Sequence, residues 1–291
     1  AEANTSHSIT VLASSSDEVL IGTVATMAEA MGICLLGAFR KPVDASAMLE
    51  ALCRYRPGQL LSIPAEPENS LELTQLRTAL DEQRLEVYYQ PKIQLDTGKL
   101  AGVEALARWR EEGDWVPPRQ FIALAEEHGL IDQLTLCLFE RILEDMNRWW
   151  DEGCYMPVAM NLSAKSLADP ELANAIIQRV AAQGIPAHFL TFEITESALV
   201  VDLPSALATI SRLRLKGYGI AIDDYGTGFS SMQQLSRFPF SELKIDRYFV
   251  DGAPSREHLQ SILKSAIDMG QRLGISTVAE GVETMAELHL L

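Results

Sequence analysis

Residues 71–291 alternate between short apolar segments and amphipathic segments, and this alternation constrains the fold more than any other feature. The apolar segments are rich in Val, Ile and Ala and have strand length, whereas the segments between them repeat apolar residues with a helical period. Repeated βα units of this kind predict a parallel sheet covered by helices. Seven strands favour a TIM-type (β/α)8-like barrel over a doubly wound sheet. The predicted strands are LEVYYQPKIQL, LAGVEALARW, 157–163, LTFEIT, GIAIDD, ELKID and STVAEGVE, and the predicted helices include 71–82, 121–128, 133–152, 204–216 and 255–273.

Polar residues follow the predicted strands at their C-terminal ends. Because these ends meet on one face of a TIM barrel, where active sites are built, we expect the polar side chains to lie close together. Any one of them, taken alone, is equally well interpreted as a helix N-cap or a loop carboxylate. Six strands that end in the same chemistry favour a common site. The residues are Glu104, Asn161, Glu193, Asp223, Asp224, Lys244, Asp246 and Glu280.

This predicted cluster consists mainly of oxygen ligands, which are typical of Mg²⁺ or Mn²⁺ sites. The histidines, at positions 7, 128, 188, 258 and 289, lie away from the strand ends, so a zinc site is not expected. Two divalent ions would allow the adjacent Asp223 and Asp224 to remain ionised, and two ions about 4 Å apart suit in-line displacement at a phosphodiester. Lys244 would orient the attacking water or neutralise charge on phosphorus. Alternatively, it is only an ion-pair partner of the acids.

Short motifs recur in a fixed order along the predicted barrel. They are Gln90-Pro91, Glu104-Ala105-Leu106 followed by Arg108-Trp109, NLS at 161–163, EITE at 193–196, DDYGTGFSS at 223–231, KID at 244–246 and AEGVE at 279–283. This ordered series resembles the EAL-domain cyclic-di-GMP phosphodiesterases over residues 71–291. The resemblance implies hydrolysis of one phosphodiester of cyclic di-GMP to linear pGpG, with two Mg²⁺ or Mn²⁺ ions in the site.

The resemblance also implies roles for individual residues. The ligands of a first metal ion would be Glu104, Asn161, Glu193 and Asp223, and those of a second, directly or through water, would be Asp223, Asp224, Asp246 and Glu280. Lys244 would hold the attacking water and would be catalytic together with Glu104 and Glu280. Glu196 would anchor the loop that follows Asp224. The substrate contacts would be Gln90, Leu106 and Arg108, with Arg108 directed to a phosphate.

The first 70 residues differ from the rest of the chain in their predicted order of strands and helices. Residues 8–56 predict a β-α-β-α order, with strands at 9–13 and 33–39 and helices at 17–31 and 45–55, and residues 57–70 predict a linker. The segment GAFRKPVDASAMLEAL resembles the end of a response-regulator receiver domain, with Lys41 as the phosphate-contacting switch residue before a cis Pro42. The resemblance implies a partial receiver at 1–56. The alternative is a helical dimerisation module with an incidental Lys-Pro.

The resemblance predicts that the barrel continues beyond Leu291. Members of the family have a further strand after the segment that matches ETMAELHLL, so we expect the eighth strand to be missing from this sequence and the native chain to be longer. A partner chain that completes the sheet is the alternative. An open barrel would expose the edges of its first and seventh strands.

Composition limits the partners. A net charge of −16 argues against binding to DNA or other nucleic acids, because there is no basic excess to replace condensed counterions. Neither a membrane span nor a secretory signal is predicted, and the scattered cysteines are typical of a cytoplasmic protein. The expected partners are cyclic di-GMP, a second copy of the chain in a homodimer or larger homo-oligomer, and an upstream histidine kinase.

Three functions fit these patterns to different degrees. The first is an active phosphodiesterase regulated by the N-terminal receiver. The second is a catalytically silent barrel that binds cyclic di-GMP and signals through protein partners. The presence of every predicted ligand and of Lys244 favours the enzyme. A metal-dependent barrel hydrolase that acts on another phosphoester has only the fold in its favour.

Overall fold

The computed structural model describes residues 10–14, 35–41, 71–196, 202–226 and 238–291, together with Ala198 and isolated positions between 21 and 49. The chain divides into two compact units, Ala1–Ser70 and Leu71–Leu291. Among the helices in these ranges, none combines the length and the apolar character that crossing a lipid bilayer requires.

In the N-terminal unit, strands β1 (Thr10–Ser14) and β2 (Leu35–Arg40) pair in parallel. Both strands lie on stretches that the sequence predicts as strands. A parallel pair requires a crossover connection, which agrees with the predicted β-α-β order. Lys41 follows β2 directly and is exposed. The predicted helices and linker fall almost entirely outside the described residues, and so does Pro42.

The second unit contains the predicted alternation of strands and helices. Its strands are β3 (Leu85–Ile93), β4 (Leu100–Glu111), β5 (Asp114–Val116), β6 (Val158–Asn161), β7 (Leu190–Thr195), β8 (Gly219–Tyr225), β9 (Glu242–Ile245) and β10 (Ser276–Ala279). Its α-helices are α1 (Leu73–Asp81), α2 (Pro118–Glu127), α3 (Ile131–Asp151), α4 (Ala164–Leu167), α5 (Pro170–Gln183), α6 (Leu203–Leu215), α7 (Arg247–Val250), α8 (Glu257–Leu273) and α9 (Met285–Leu290). Short 3₁₀ turns occur at Ala187–Phe189 and Ala253–Ser255.

The strands form one sheet in the order β10-β9-β8-β7-β6-β4-β3, with β5 paired to β4. From β4 to β10 every neighbouring pair on this path is parallel and the spatial order follows the chain, as in a TIM-like barrel. Within the described part of the chain, β3 and β10 do not pair with each other.

The expectation of a wholly parallel sheet is wrong at β3, which runs antiparallel to β4. The reason is the connection between them. Only residues 94–99 separate the two strands, and the backbone N–H of Gln94 donates to the carbonyl of Lys99 in a tight turn. A parallel crossover needs a dozen or more residues. In the resulting hairpin, Gln90 lies opposite Glu104 and Lys92 opposite Gly102.

Helix α5 is an element that the sequence analysis did not name. Its signals are local: Asp169 accepts a hydrogen bond from the backbone of Glu171 as N-cap, and Pro170 occupies the first turn. Gly184 ends the helix with φ of 71°, a left-handed conformation that favours glycine. The five named helices begin and end within three residues of their predicted limits.

The core of the second unit lies between the sheet and the surrounding helices. The outward face of β6, β7 and β8 packs against α3, α5 and α6, and the buried side chains there include Phe139, Ile176, Ile210 and Phe192. A second cluster around Trp109 and Phe121 covers β3 and β4 beside α1 and α2. Because apolar side chains occupy the outward face, the polar residues of the strands are directed to the barrel interior.

Candidate active site

Three strands and the segment after β10 bring acidic side chains around one lysine. The Lys244 ammonium, on β9, lies 2.6 Å from Glu193 Oε2 and 2.7 Å from Glu280 Oε1. It also lies 3.1 Å from Asp223 Oδ1 and 3.2 Å from Glu104 Oε2. The acids come from β4, β7, β8 and the residue that follows β10. The structure therefore brings these five sequence-predicted residues together.

This cluster is buried and carries an excess of negative charge. The side chains of Lys244 and Glu193 are 1% and 0% exposed. Burial lowers the pKa of Lys244, but the four carboxylates outweigh it, so the pKa rises above its usual value and the ammonium stays protonated. Four carboxylates against one ammonium leave a net charge of −3. A buried charge of this size favours the binding of further cations.

Asp223, Asp224 and Glu280 form the part of the cluster best suited to hold a metal ion. Each offers a carboxylate oxygen within 4.8 Å of the others. Burial raises the pKa of Asp224, and the neighbouring Asp223 and Asp246 raise it further. Burial also raises the pKa of Glu280, in spite of Lys244. Hard oxygen donors that repel one another in this way fit a divalent ion such as Mg²⁺ or Mn²⁺.

Two further predicted ligands lie at the edge of this arrangement. The side-chain amide of Asn161 donates to Glu104 Oε1 at 3.0 Å, so Glu104 is held by both Asn161 and Lys244. Asp246 accepts a hydrogen bond from the backbone N–H of Tyr248 at 2.8 Å and is the N-cap of α7. The helix-cap interpretation therefore applies to Asp246, whose charge also raises the pKa of Asp224.

Glu196 connects the site to the loop after β8. Its carboxylate, which is buried, accepts a hydrogen bond from the backbone N–H of Gly226 at 3.1 Å. Gly226 has φ of 97°, and a Cβ at this position would lie 2.6 Å from the ring of Phe249. A glycine is therefore required where the loop leaves the strand. Glu196 thus holds the residue directly after β8, and its role in anchoring the loop beyond stays a prediction.

The mouth of the barrel carries the predicted substrate contacts. Side chains alternate along a strand, so Leu106 and Arg108 share the face of Glu104 on β4, and Gln90 shares the face of Lys92 on β3. Gln90 is exposed, and Leu106 and Arg108 are half-buried. These residues thus lie on one side of the barrel, with Gln90 level with Glu104 and with Leu106 and Arg108 further toward the C-terminal end of β4.

Tyr88, Arg110 and Trp115, which were not among the predicted site residues, lie beside Arg108. The Arg110 guanidinium lies 3.9 Å from the ring centre of Trp115, and Arg108 lies 5.8 Å from that of Tyr88. The two rings meet edge to face at 5.6 Å, and both are nearly half exposed. The signal was the period of two on β4, which places 104, 106, 108 and 110 on one face.

A second lysine was also missed. Lys92, on β3, donates hydrogen bonds of 2.8 Å to both Glu193 Oε1 and Glu242 Oε1. Burial lowers its pKa, but the two carboxylates outweigh this and raise the pKa above its usual value. The sequence signal was again the alternation of side chains along a strand, which places Lys92 on the same face as Gln90 and Glu242 on the same face as Lys244. Lys41, the predicted receiver switch, belongs to the N-terminal unit, for which the described residues show no comparable cluster.

Comparison with known proteins places this arrangement in a family. The model of the EAL domain matches residues 73–291. The chain is 35% identical over 280 residues to cyclic di-GMP phosphodiesterase RocR of Pseudomonas aeruginosa, covering 96% of this chain and 71% of RocR. It is 36% identical over 252 residues to the bifunctional diguanylate cyclase/cyclic di-GMP phosphodiesterase MucR of the same organism, covering 84% of this chain but 37% of MucR.

A solved structure agrees with the sequence comparisons. The MucR phosphodiesterase in complex with c-di-GMP superposes with a TM-score of 0.71 at 37% identity, covering 75% of this chain and 90% of that one. The segment matched by the family model, residues 73–291, contains all residues of the acidic cluster. This chain belongs to the EAL-domain family.

Proposed function

We propose that this protein hydrolyses one phosphodiester of cyclic di-GMP to linear pGpG. The observation that carries the proposal is the Lys244 ammonium, which lies within 3.2 Å of four carboxylates at the C-terminal ends of the barrel strands. RocR and MucR, whose names state this activity, support it. The aromatic and cationic groups at the entrance suit a substrate with purine rings and phosphates.

The acids would hold two divalent ions. Glu104, Asn161, Glu193 and Asp223 would bind the first, and Asp223, Asp224, Asp246 and Glu280 the second. When bound, the ions supply Lewis-acid polarisation of the phosphoryl oxygens and a lowered pKa for water. The donor set supports this assignment, because Asp223, Asp224 and Glu280 already present oxygens within 4.8 Å of one another.

The side chains of the protein would orient the attacking water, accept its proton and bind the substrate. Lys244, protonated, would donate a hydrogen bond to the attacking water and stabilise charge on the phosphoryl oxygens. Glu104 or Glu280 would accept the proton of that water. The water oxygen bonds to phosphorus as the bond to the 3′ oxygen breaks, which yields a 5′-phosphate and a 3′-hydroxyl. Arg108 would neutralise a phosphate, and Gln90 and Leu106 would position the nucleotide.

The decisive experiment follows product formation from cyclic di-GMP with Mg²⁺ or Mn²⁺, with and without a chelator. We expect pGpG only when metal is present, and a loss of about 10²-fold for Glu104→Gln. Glu144→Gln, on the exposed face of α3, is the matched control and should keep the wild-type rate. Tight binding of cyclic di-GMP without product would contradict the proposal and identify a receptor instead.

We further infer that the N-terminal unit is part of a receiver domain that regulates the barrel. The parallel pairing of β1 with β2 and the exposed Lys41 directly after β2 support this inference. Lys41→Ala should change the rate of pGpG formation, and an unchanged rate would argue against regulation through this residue. A homodimer, testable by sedimentation, and an upstream histidine kinase remain predictions.

A further inference from the structure

Glu193 is held from two sides by two different lysines. Its side chain is fully buried, with 0% exposed. Lys244 contacts Oε2 at 2.6 Å from the side of the acidic cluster, and Lys92 contacts Oε1 at 2.8 Å. The two oxygens of this carboxylate are therefore distinguished by their partners, although they are chemically equivalent.

The strand register explains why Lys92 lies beneath the cluster. On β3, Gln90 lies opposite Glu104, and Lys92 lies opposite Gly102, two residues further from the mouth of the barrel. On β9, Glu242 precedes Lys244 by two residues and so shares its face. Lys92 and Glu242 form an ion pair of 2.8 Å in this lower layer, and their side chains are 15% and 18% exposed.

We propose that Lys92 is a positioning residue for Glu193, and this rests on the proposed function, in which Glu193 is a metal ligand. By holding Oε1, Lys92 fixes the plane of the carboxylate and leaves Oε2 directed to the site, where it would be available to a metal ion. Glu242, which accepts from the same ammonium, keeps Lys92 in place. Partners that orient metal ligands in this way typically contribute about 10- to 100-fold to metal affinity or activity.

A purely charge-balancing role for Lys92 predicts the opposite result. If Lys92 only neutralised buried carboxylates, its removal would make the site more negative, and cation binding would become tighter. In that case Glu242→Gln, which removes a negative charge from the same layer, would weaken cation binding. If Lys92 positions Glu193, its removal weakens cation binding. Glu242→Gln then has only a small effect, because the amide oxygen of the glutamine can still accept from Lys92 and the contact between Lys92 and Glu193 remains.

The test is calorimetric titration of the full chain with Mn²⁺ in the absence of nucleotide. For Lys92→Met we expect binding at least tenfold weaker than in the wild type. The matched variant Glu242→Gln should remain within about threefold of the wild type, well below the loss of about 10- to 100-fold expected when an orienting partner is removed. With Mn²⁺ saturating, the KM of Lys92→Met for cyclic di-GMP should be unchanged. Wild-type or tighter Mn²⁺ binding by Lys92→Met would overturn the proposal.

A second variant keeps the test valid if Lys92→Met fails to fold, which thermal unfolding in chelator would reveal. Lys92→Gln also removes the charge but retains an N–H donor for Glu193, so Mn²⁺ binding should lie between wild type and Lys92→Met. Tighter binding by Lys92→Gln would again refute positioning. If the wild-type chain forms pGpG but the variants bind Mn²⁺ normally, only this inference fails. If the wild type neither binds Mn²⁺ nor forms pGpG, the proposed function itself fails.

Discussion

Replacement of Lys244 by methionine should destabilise the metal-free protein strongly. The substitution removes the only ammonium shared by Glu104, Glu193, Asp223 and Glu280 among the described residues and leaves their side chains buried or half-buried. Breaking a buried ion pair by removing one partner costs about 3–5 kcal/mol, because the other charge stays buried without compensation. For a folded unit of this size, the loss corresponds to a decrease in Tm of about 10 °C.

The same substitution should make stability depend on metal and on pH. Mn²⁺ would replace part of the lost positive charge, so added Mn²⁺ should raise the Tm of Lys244→Met more than that of the wild type. Burial raises the pKa of Glu280 even beside Lys244, and removal of the lysine leaves the ionised carboxylates of the cluster without their compensating charge. They destabilise the protein at high pH, and this destabilisation is relieved as pH falls and they are protonated. The deficit relative to the wild type should therefore be larger at pH 8 than at pH 5.

Thermal unfolding in chelator, at both pH values and with Mn²⁺ added, checks these expectations. Lys264→Met, on the exposed side of α8, removes the same charge from the surface and should leave the Tm nearly unchanged. If Lys244→Met matched the wild type in chelator, the four contacts would not constitute a charge-compensating network. A deficit independent of pH would show that lost packing, not uncompensated charge, is the cause.

Three further outcomes follow from the site. Glu196→Gln should weaken the hydrogen bond from the backbone N–H of Gly226 and so lower the rate of pGpG formation, with the Tm within a few degrees of the wild type. A wild-type rate would refute loop anchoring by Glu196. Trp115→Ala should raise the KM for cyclic di-GMP several-fold with little change in kcat, because it removes an exposed ring from the entrance. An unchanged KM would exclude the ring from substrate binding. Burial raises the pKa of Asp224 and Glu280, so protons should compete with Mn²⁺ for these carboxylates at a pH above the ordinary carboxyl range. The affinity for Mn²⁺, measured by calorimetry, should therefore fall as the pH is lowered into that range.

The strands and their order along the chain are predictable because a buried strand leaves a clear apolar segment. LTFEIT coincides with β7, and GIAIDD ends one residue before β8 does. The direction of β3 is not contained in that pattern, since an apolar segment has the same composition in either direction. Its antiparallel pairing follows from the short connection at 94–99, a constraint of length and not of hydrophobicity.

The acidic residues of the site are predictable because they interrupt apolar strands at their ends. Lys92 and Glu242 were not predicted as site residues, because they lie inside a strand or at its start, where a charged residue is usually interpreted as exposed. Their partners come from strands far apart in sequence, so only the folded sheet shows that each charge is compensated. Trp115 was not predicted for a related reason, since the three-residue strand β5 is too short to show a period.

The two interpretations of Lys244, ion-pair partner and catalytic residue, describe one arrangement. An ammonium that compensates a single carboxylate would be only a structural ion pair. Here four carboxylates share it, and the surplus of negative charge is directed to the side where Asp223, Asp224 and Glu280 present their oxygens. The lysine can therefore keep the metal-free site folded without saturating it. If divalent ions bound the carboxylates, the N–H groups of the Lys244 ammonium would be free to donate hydrogen bonds to water or to a phosphoryl oxygen. The contacts that stabilise the metal-free fold would therefore also place the lysine for the proposed chemistry.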